Sequence, residues 1–457
     1  MKRVRVVYLL LIFLLSACSF APKCPTPNFK LPKAKKTSLN TNLKLTNWWK
    51  GFNDKKLDDL IDFSLKNNDN LLIAYEKINE ARAKYSLFSS SLYPSINAQV
   101  GATKTKSSGE MGYGDGEIVN DFKLLGNLSY NLDLFGKIRN QKKAQLELLL
   151  AQKSYADAVK INLISEVAIT YFKICAINKE IKIANKIVKD SLALYNYKRL
   201  KYKNGLIDEL SLRRDKIDID LSKLDVEEIK KRKNILENRL SLLLGKEPRD
   251  IFNAQYNSTK LPRPLKIPPF LPSKIIEKRP DIIEAQRQLK AANLEVGVAK
   301  AAYFPDIYLT GILGFESQEL ANLFRSSAGF WQIGAGASVP IFDFGRIKAN
   351  IKIATSRQRQ ALFSYIFTVK NAFKEIHEIM GNLSSIKRQI KIQKNQVKNY
   401  RTILHITRKQ YQNGLVDYAK VIYAKKDYES SLINLIDLKA AYLGQEVLLY
   451  KALGGGW

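Results

Sequence analysis

The protein has 457 residues, with 75 Lys and Arg against 43 Asp and Glu, and a formal net charge of +32. Hydrophobic residues make up 46% of the chain, which is enough to bury a large core and excludes an intrinsically disordered protein. Outside a short stretch near its start, no apolar run approaches the roughly 18 residues that a membrane-spanning helix needs, which excludes a multi-pass helical membrane protein.

Residues 1–17 have the pattern of a lipoprotein signal peptide. Basic residues within 2–5 precede an apolar stretch, 6–15, that is too short to anchor in a bilayer. This stretch ends at Leu15-Ser16-Ala17-Cys18, which resembles the bacterial lipobox and predicts lipidation of Cys18. The alternative is an ordinary signal peptide with a chance Cys. Ser19 stands where Asp usually signals inner-membrane retention, so the outer membrane is the expected location.

An internal duplication organises the chain. The segment at 202–208 recurs at 411–417, and the segment at 135–139 recurs at 344–348, both with an offset of 209 residues. Proline-rich stretches lie before the first copy and between the two copies, which predicts extended linkers there. The predicted organisation is a signal peptide (1–17), a lipidated tether (18–54), a first repeat (55–245), a linker (246–272) and a second repeat (273–457).

Each repeat is predicted to contain a hairpin of long helices. Residues 137–203 contain no Gly or Pro and would span about 100 Å as a helix at ~1.5 Å per residue. Both this segment and its counterpart, 346–413, end at Asn-Gly, which predicts a chain reversal into return helices at 206–244 and 415–453. Leading helices at 55–93 and 273–304 are expected to stack end to end with the return helices. In the first return helix six apolar residues have coiled-coil spacing: Leu210, Ile217, Leu221, Leu224, Ile235 and Leu242.

Two strand pairs show alternating polarity. Apolar residues recur at every second position from Phe122 to Leu132 and from Trp331 to Val339, as in transmembrane β-barrel strands. A surface hairpin covering a soluble core is the alternative. Four strands cannot close a barrel, and open edges are not tolerated in lipid. If the strands span the outer membrane, several chains must share one barrel, and three chains would supply twelve strands.

In this order the features resemble the outer-membrane efflux protein family typified by TolC, specifically its lipidated branch that serves drug and metal efflux pumps. The most specific motifs are the lipobox at Cys18, Arg279-Pro280-Asp281, the segment 339–346 and the segment 449–457. The resemblance covers nearly the whole mature chain. It implies a mostly α, mixed α/β membrane protein whose duplicated hairpins form a periplasmic α-barrel. Four strands per chain would contribute to a trimeric twelve-stranded transmembrane β-barrel.

The resemblance implies the outer-membrane channel of a tripartite efflux system that exports small toxic compounds. The implied partners are two further copies of the chain, a periplasmic adaptor protein, an inner-membrane efflux transporter and outer-membrane lipid. The alternatives are a lipid-anchored periplasmic coiled-coil scaffold and the conduit of a type I protein secretion system. Export makes nucleic acid a poor partner for the basic excess, which we interpret mainly as solvated helix faces.

The resemblance also implies a gate and adaptor contacts at the helix turns. Asp208 and Asp417 are candidates for carboxylate rings that attract cations, although Asp at these positions is equally typical of a helix N-cap. Tyr423 stands where the family often has an acid, which predicts either a less cation-selective turn or selection through aromatic packing. The expected adaptor contacts are Gly205, Leu206, Ile207, Gly414, Leu415 and Val416.

No residue pattern indicates an enzyme. The two histidines, His377 and His405, lie in one long helix, and no nucleophile elbow, HExxH or P-loop pattern is present. We therefore predict neither a catalytic residue nor a metal site or cofactor. A disulfide between Cys24 and Cys175 is left open.

Overall fold

The computed structural model describes residues 20–25, 47–106, 108, 118–253, 255–265 and 277–455. The expected signal peptide, Cys18 and most of the tether lie outside the described residues. So do residues 109–117, which connect the two strands of the first pair, and much of the predicted linker.

Helices and strands follow the predicted order. A short 3-10 helix, Trp48–Phe52, is the first helix among the described residues. The first half then contains α1 (Lys55–Asn67), α2 (Asp69–Ser90), β1 (Ser95–Lys106), β2 (Ile118–Leu132), α3 (Lys137–Lys203), α4 (Glu209–Leu243) and the short α5 (Pro248–Phe252). The second half contains α6 (Pro280–Ala301), β3 (Asp306–Ser317), β4 (Gly329–Ser338), α7 (Arg346–Gln412) and α8 (Tyr418–Ala452).

The predicted helices are confirmed with three corrections. The second leading helix, predicted at 273–304, is Pro280–Ala301. The leading helix is broken at Asn68, whose backbone is extended and whose side chain accepts from Leu71 N (3.1 Å) and donates to Leu243 O (3.0 Å). The return helices begin three residues later than predicted, because Asp208 and Asp417 cap them from non-helical positions.

The chain forms two compact units, and each unit draws on both sequence repeats. The first comprises Met1–Phe29, Lys77–Lys153 and Glu284–Phe367, and the second comprises Lys30–Glu76, Ser154–Ile283 and Thr368–Trp457.

The first unit contains a four-stranded antiparallel sheet with the order β1-β2-β3-β4. Ile96 pairs with Leu128, which lies opposite Gly311, and Gly311 pairs with Ile333, so that this row crosses all four strands. The apolar residues of the row, together with Trp331, are exposed, which confirms the predicted apolar face. Within the described residues β1 and β4 are edge strands, each paired on one side only.

The second unit has an aromatic and aliphatic core between α1, α3 and α8. Trp48 stacks on Tyr450 with ring centroids 5.3 Å apart, and Phe52 lies against Phe172 at 5.0 Å. Among the described helices α3 alone contains a window apolar enough to cross a membrane, and 78% of that window is buried within the protein. The window therefore belongs to the core.

The prediction that six apolar residues of the first return helix pack as in a coiled coil is wrong for the single chain. All six residues, from Leu210 to Leu242, are exposed. The buried side of α4 instead includes Ile219, Val226 and Leu240. Both sets of residues have intervals of three and four residues, so periodicity alone did not distinguish them.

Candidate functional site

An aspartate and a glycine form the corner between each strand pair and its long helix. Asp133 accepts from Ile138 N (3.0 Å) and Arg139 N (2.8 Å), and Asp343 accepts from Ile347 N (2.8 Å). These bonds satisfy N–H groups that a helix start leaves unpaired. Gly136 and Gly345 have φ of 73° and 85°, a conformation that favours glycine. The repeated Phe-Gly-basic motif marked these corners, but the capping role of the aspartates was missed.

The two helix turns share one geometry. Gly205 and Gly414 have φ of 70° and 73°. Leu206 N donates to Lys201 O, and Leu415 N donates to Gln410 O, both at 2.9 Å, which are the bonds of a Schellman motif. The side chains of Leu206 and Leu415 are 68% and 72% exposed, although such a position usually packs on its own helix. Ile207 and Val416 are half-buried.

Asp208 is an exposed N-cap of α4. Its carboxylate accepts from Ser211 N at 2.9 Å, and hydrogen bonds from the Ser211 side chain and backbone lower the pKa of Asp208 below its usual value. The capping interpretation is therefore confirmed for this residue. Its place in a gate stays a prediction.

Asp417 caps α8 and also contacts α3. It accepts from Ala419 N at 2.9 Å and forms an ion pair with Lys201. Partial burial opposes its ionisation, but the hydrogen bond from Lys201, followed by that from Ala419 N, places the pKa of Asp417 below its usual value. Asp417 thus joins the two hairpins, whereas Asp208 does not.

Tyr423 takes part in a second contact between α3 and α8. Lys198 Nζ lies 3.3 Å from the Tyr423 hydroxyl and donates to it, and also donates to Asp215 at 2.9 Å. Further along the same interface Lys425 donates to Asp190 at 2.5 Å. The candidates Asp417 and Tyr423 therefore belong to one interface, together with lysines that the sequence analysis did not single out.

A carboxyl pair, formed by the buried Glu180 and the exposed Asp437, lies at the far end of this interface. Glu180 on α3 interacts with Asp437 on α8, and Arg232 on α4 lies 3.2 Å from Glu180. Lys173 lines the same cavity of about 410 Å³. Burial, followed by the hydrogen bond with Asp437, raises the pKa of Glu180 to about 8.

Stability of the protein should fall as pH rises, because the folded state holds a proton on Glu180 that the unfolded state releases near pH 4.3. The contribution is complete below that pH and is lost as pH rises through about 8. Thermal unfolding from pH 6 to 9 should show this fall, and Glu180→Gln should reduce its slope. The remaining slope comes from Glu429 and Glu446, because burial raises the pKa of each of them to about 7. The control, Glu166→Gln, changes an exposed carboxylate on the same helix. An unchanged slope in Glu180→Gln would refute the assignment.

Cys24 and Cys175 are both free thiols, so the disulfide left open above is not formed. Cys175 is buried in the core of the second unit. His377 and His405 both lie on α7 and are 28 residues apart in sequence. Within the described ranges no group of three His, Cys, Asp or Glu side chains is arranged to hold a metal ion.

Comparison with known proteins identifies the family. The family model described as "Outer membrane efflux protein" matches residues 60–246 and 271–455. The cation efflux system protein CusC of Escherichia coli O6:H1 is 33% identical over 449 residues, covering 97% of this chain and 96% of its own length. The probable outer membrane lipoprotein SilC of Salmonella typhimurium is 32% identical, with all of both chains covered.

Solved structures show the same fold. The Campylobacter jejuni CmeC outer membrane channel superimposes with a TM-score of 0.88 at 27% identity, covering 96% of this chain and 95% of that one. A CusC structure gives a TM-score of 0.84 at 31% identity and covers 96% and 100%. The helical hairpins and the four strands match such relatives over nearly their full length. The protein is therefore an efflux channel component of the outer membrane. The chain belongs to the outer membrane efflux protein family.

Proposed function

We propose that three copies of the chain form one channel that carries small toxic compounds out through the outer membrane. The main support for this proposal is the four-stranded sheet, which has an exposed apolar face and two edge strands. Unpaired edges are not tolerated in lipid, and three sheets joined edge to edge give a closed twelve-stranded barrel. The detergent-extracted protein should have the mass of a trimer, and a monomer would contradict this proposal.

The channel requires partners, because nothing in the proposed conduit supplies energy. We assign that role to an inner-membrane efflux transporter coupled through a periplasmic adaptor. The relatives differ in cargo: CusC is named for cation efflux, and SrpC of Pseudomonas putida, 31% identical over 412 residues, is named for a solvent efflux pump. We therefore propose that the transporter determines which compounds are exported. Deletion in the native host should increase sensitivity to metals or to organic toxicants, and the class affected identifies the cargo.

The exposed leucines of the two helix turns are the proposed adaptor contact. Replacing both Leu206 and Leu415 by Asp should abolish resistance in cells and leave the trimer mass unchanged, because neither side chain is buried in the protein. The matched control replaces both Lys203 and Gln412 by Asp, since these residues are also exposed near the turns. Full resistance in the double leucine variant would remove these residues from the adaptor contact.

A lipid anchor at Cys18 fits the position of the next described residues. Phe20 stacks on Phe304 with centroids 4.4 Å apart, and Pro22 O accepts from Asn293 Nδ2 at 2.6 Å. Phe304 lies two residues before β3, so the chain reaches the end of the sheet just after Cys18. Gly297 permits this approach, since a Cβ there would lie 2.8 Å from Ala21 Cα.

Two variants separate lipidation from tether docking. Cys18→Ser should remove the lipid mass from the mature protein. Gly297→Val should keep the lipid but displace residues 20–25, which makes them more sensitive to protease. Mass spectrometry and limited proteolysis measure the two effects, with Ala299→Val as a control on the same helix. An unmodified Cys18 in the wild-type protein would contradict the anchor.

A further inference from the structure

The basic excess of the chain is concentrated on α7. This helix contains 15 Lys and Arg and two acidic residues, whereas α3, which is equally long, contains 15 and five. Both acidic residues of α7, Glu375 and Glu378, lie before its midpoint. The C-terminal half of the helix therefore carries positive charge without any carboxylate of its own.

Six Lys and Arg residues and one His form a line along this half of the helix. They follow one another at intervals of four and three residues, which places them on one side of α7. This basic stripe comprises Lys387, Lys391, Lys394, Lys398, Arg401, His405 and Arg408. All seven residues are exposed, and the stripe extends over about 32 Å of the helix.

The protein itself does not neutralise the basic stripe. Among the described residues, the last ion pair along α7 is that of Lys374 with Glu378, which precedes the stripe. Lys439 of α8 adds a further positive charge nearby, since burial, followed by the charge of Lys394, lowers the pKa of Lys439. The basic stripe is therefore a positively charged surface that is accessible to an anionic partner.

The first repeat has no equivalent surface. At the offset of 209 residues the seven positions correspond to Asn178, Lys182, Asn185, Lys189, Leu192, Asn196 and Arg199. Three of these are basic, and Asn178 is covered, since it donates to Tyr256 O (2.6 Å) and Ser258 O (2.8 Å). A lysine excess that served solubility alone would affect both repeats alike, so the difference indicates a role specific to α7.

The composition of the basic stripe favours an anionic polymer over a partner helix. Intervals of four and three residues are those of a coiled-coil seam, but a stable seam needs apolar residues at these positions, and the stripe has none. Its contacts are therefore surface ion pairs, which act over a long range and are weakened by salt. A polymer with repeated negative charges can form many such contacts at once.

The location of α7 identifies the polymer. The protein is an outer-membrane channel component whose long helices extend into the periplasm, a compartment without nucleic acid. The anionic polymer of the periplasm is peptidoglycan, whose peptides carry carboxylates at repeated positions.

We propose that the basic stripe binds the peptide carboxylates of peptidoglycan and thereby fixes the channel to the cell wall. The contact consists of reversible ion pairs. The exposed leucines of the helix turns, Leu206 and Leu415, take no part in it and stay available to the adaptor. This inference goes beyond the export function proposed above and holds for a monomer as well as for a trimer.

Co-sedimentation with purified peptidoglycan sacculi tests the proposal. The stripe variant carries Lys387→Gln, Lys391→Gln, Lys394→Gln and Lys398→Gln. The control carries Lys182→Gln, Lys186→Gln, Lys189→Gln and Lys203→Gln, which removes the same charge from exposed residues of α3. The detergent-solubilised wild type and the control should sediment with sacculi at low salt, and the stripe variant should bind roughly tenfold more weakly. Coupling ethanolamine to the carboxylates of the sacculi should abolish binding of the wild type.

The outcomes separate the stripe from net charge and from a protein partner. A wild type that stays in solution, equal losses in the two variants, or binding that survives the carboxylate block each overturns the proposal. A stripe variant that sediments like the wild type but no longer confers resistance in cells assigns the stripe to a protein partner, which also overturns it. Trimer mass and conductance, measured on the same preparations, test the proposed export function separately.

Discussion

Replacing Lys201 with Met should raise the conductance of the purified trimer in its resting state several-fold. The ammonium of Lys201 holds Asp417 at the start of α8, and Lys198 holds Tyr423 two turns further along. Without these contacts the polar connection of the second hairpin to α3 near the turns is reduced to the hydrogen bond between Tyr197 and Asp417. Lys198→Met combined with Lys201→Met should increase the effect, because the two contacts act on the same pair of helices.

Lys203→Met is the matched control, since Lys203 is exposed and lies two residues beyond Lys201 on the same helix. Its conductance should equal that of the wild type. High salt should act in the same direction as Lys201→Met, because the Lys201–Asp417 pair is partly exposed and therefore screened. A doubly substituted trimer with wild-type conductance would show that these contacts do not hold the resting state.

Replacing Arg279 with Met should destabilise the protein by about 1.5–3 kcal/mol, because it removes hydrogen bonds to charged groups while the carboxylates left behind, on Asp281 and Glu375, are 39% and 28% exposed. Arg279 is buried and donates to Asp281 (2.8 Å), to Glu375 (2.8 Å) and to Ala452 O (2.7 Å). Its loss leaves two carboxylates without their cation and the last turn of α8 without a donor. Thermal or denaturant unfolding of the detergent-solubilised protein measures the change.

Lys278→Met removes a charge from the adjacent, exposed position and should have little effect. Equal stability of the two variants would contradict the structural role of Arg279. Desolvation opposes ionisation of Arg279, but the hydrogen bonds and charges of Asp281 and Glu375 keep its guanidinium protonated across the accessible pH range. The loss of stability in Arg279→Met should therefore persist at every pH at which Asp281 and Glu375 remain ionised.

Much of the fold was predictable because its elements depend on local sequence. The absence of Gly and Pro from 137–203 predicted the long helix with the bounds that the structure shows. Alternating polarity predicted the apolar face of the sheet. The break at Asn68 was missed, because it depends on a hydrogen bond to Leu243, a residue 175 positions away.

The candidate site was only partly predictable. The Asn-Gly turns and the caps Asp208 and Asp417 follow from local backbone requirements. The pairing of Lys201 with Asp417 joins residues 216 positions apart and depends on how two hairpins pack. The sequence shows where the lysines are, but tertiary packing determines which carboxylate each of them contacts.

Planar-bilayer recording of the purified wild-type trimer tests whether this chain forms a conducting channel. We expect discrete, uniform conductance steps that increase in the Lys198→Met and Lys201→Met double variant. Silence from both proteins, each shown to be a folded trimer, would contradict the assignment of this chain as a conducting channel.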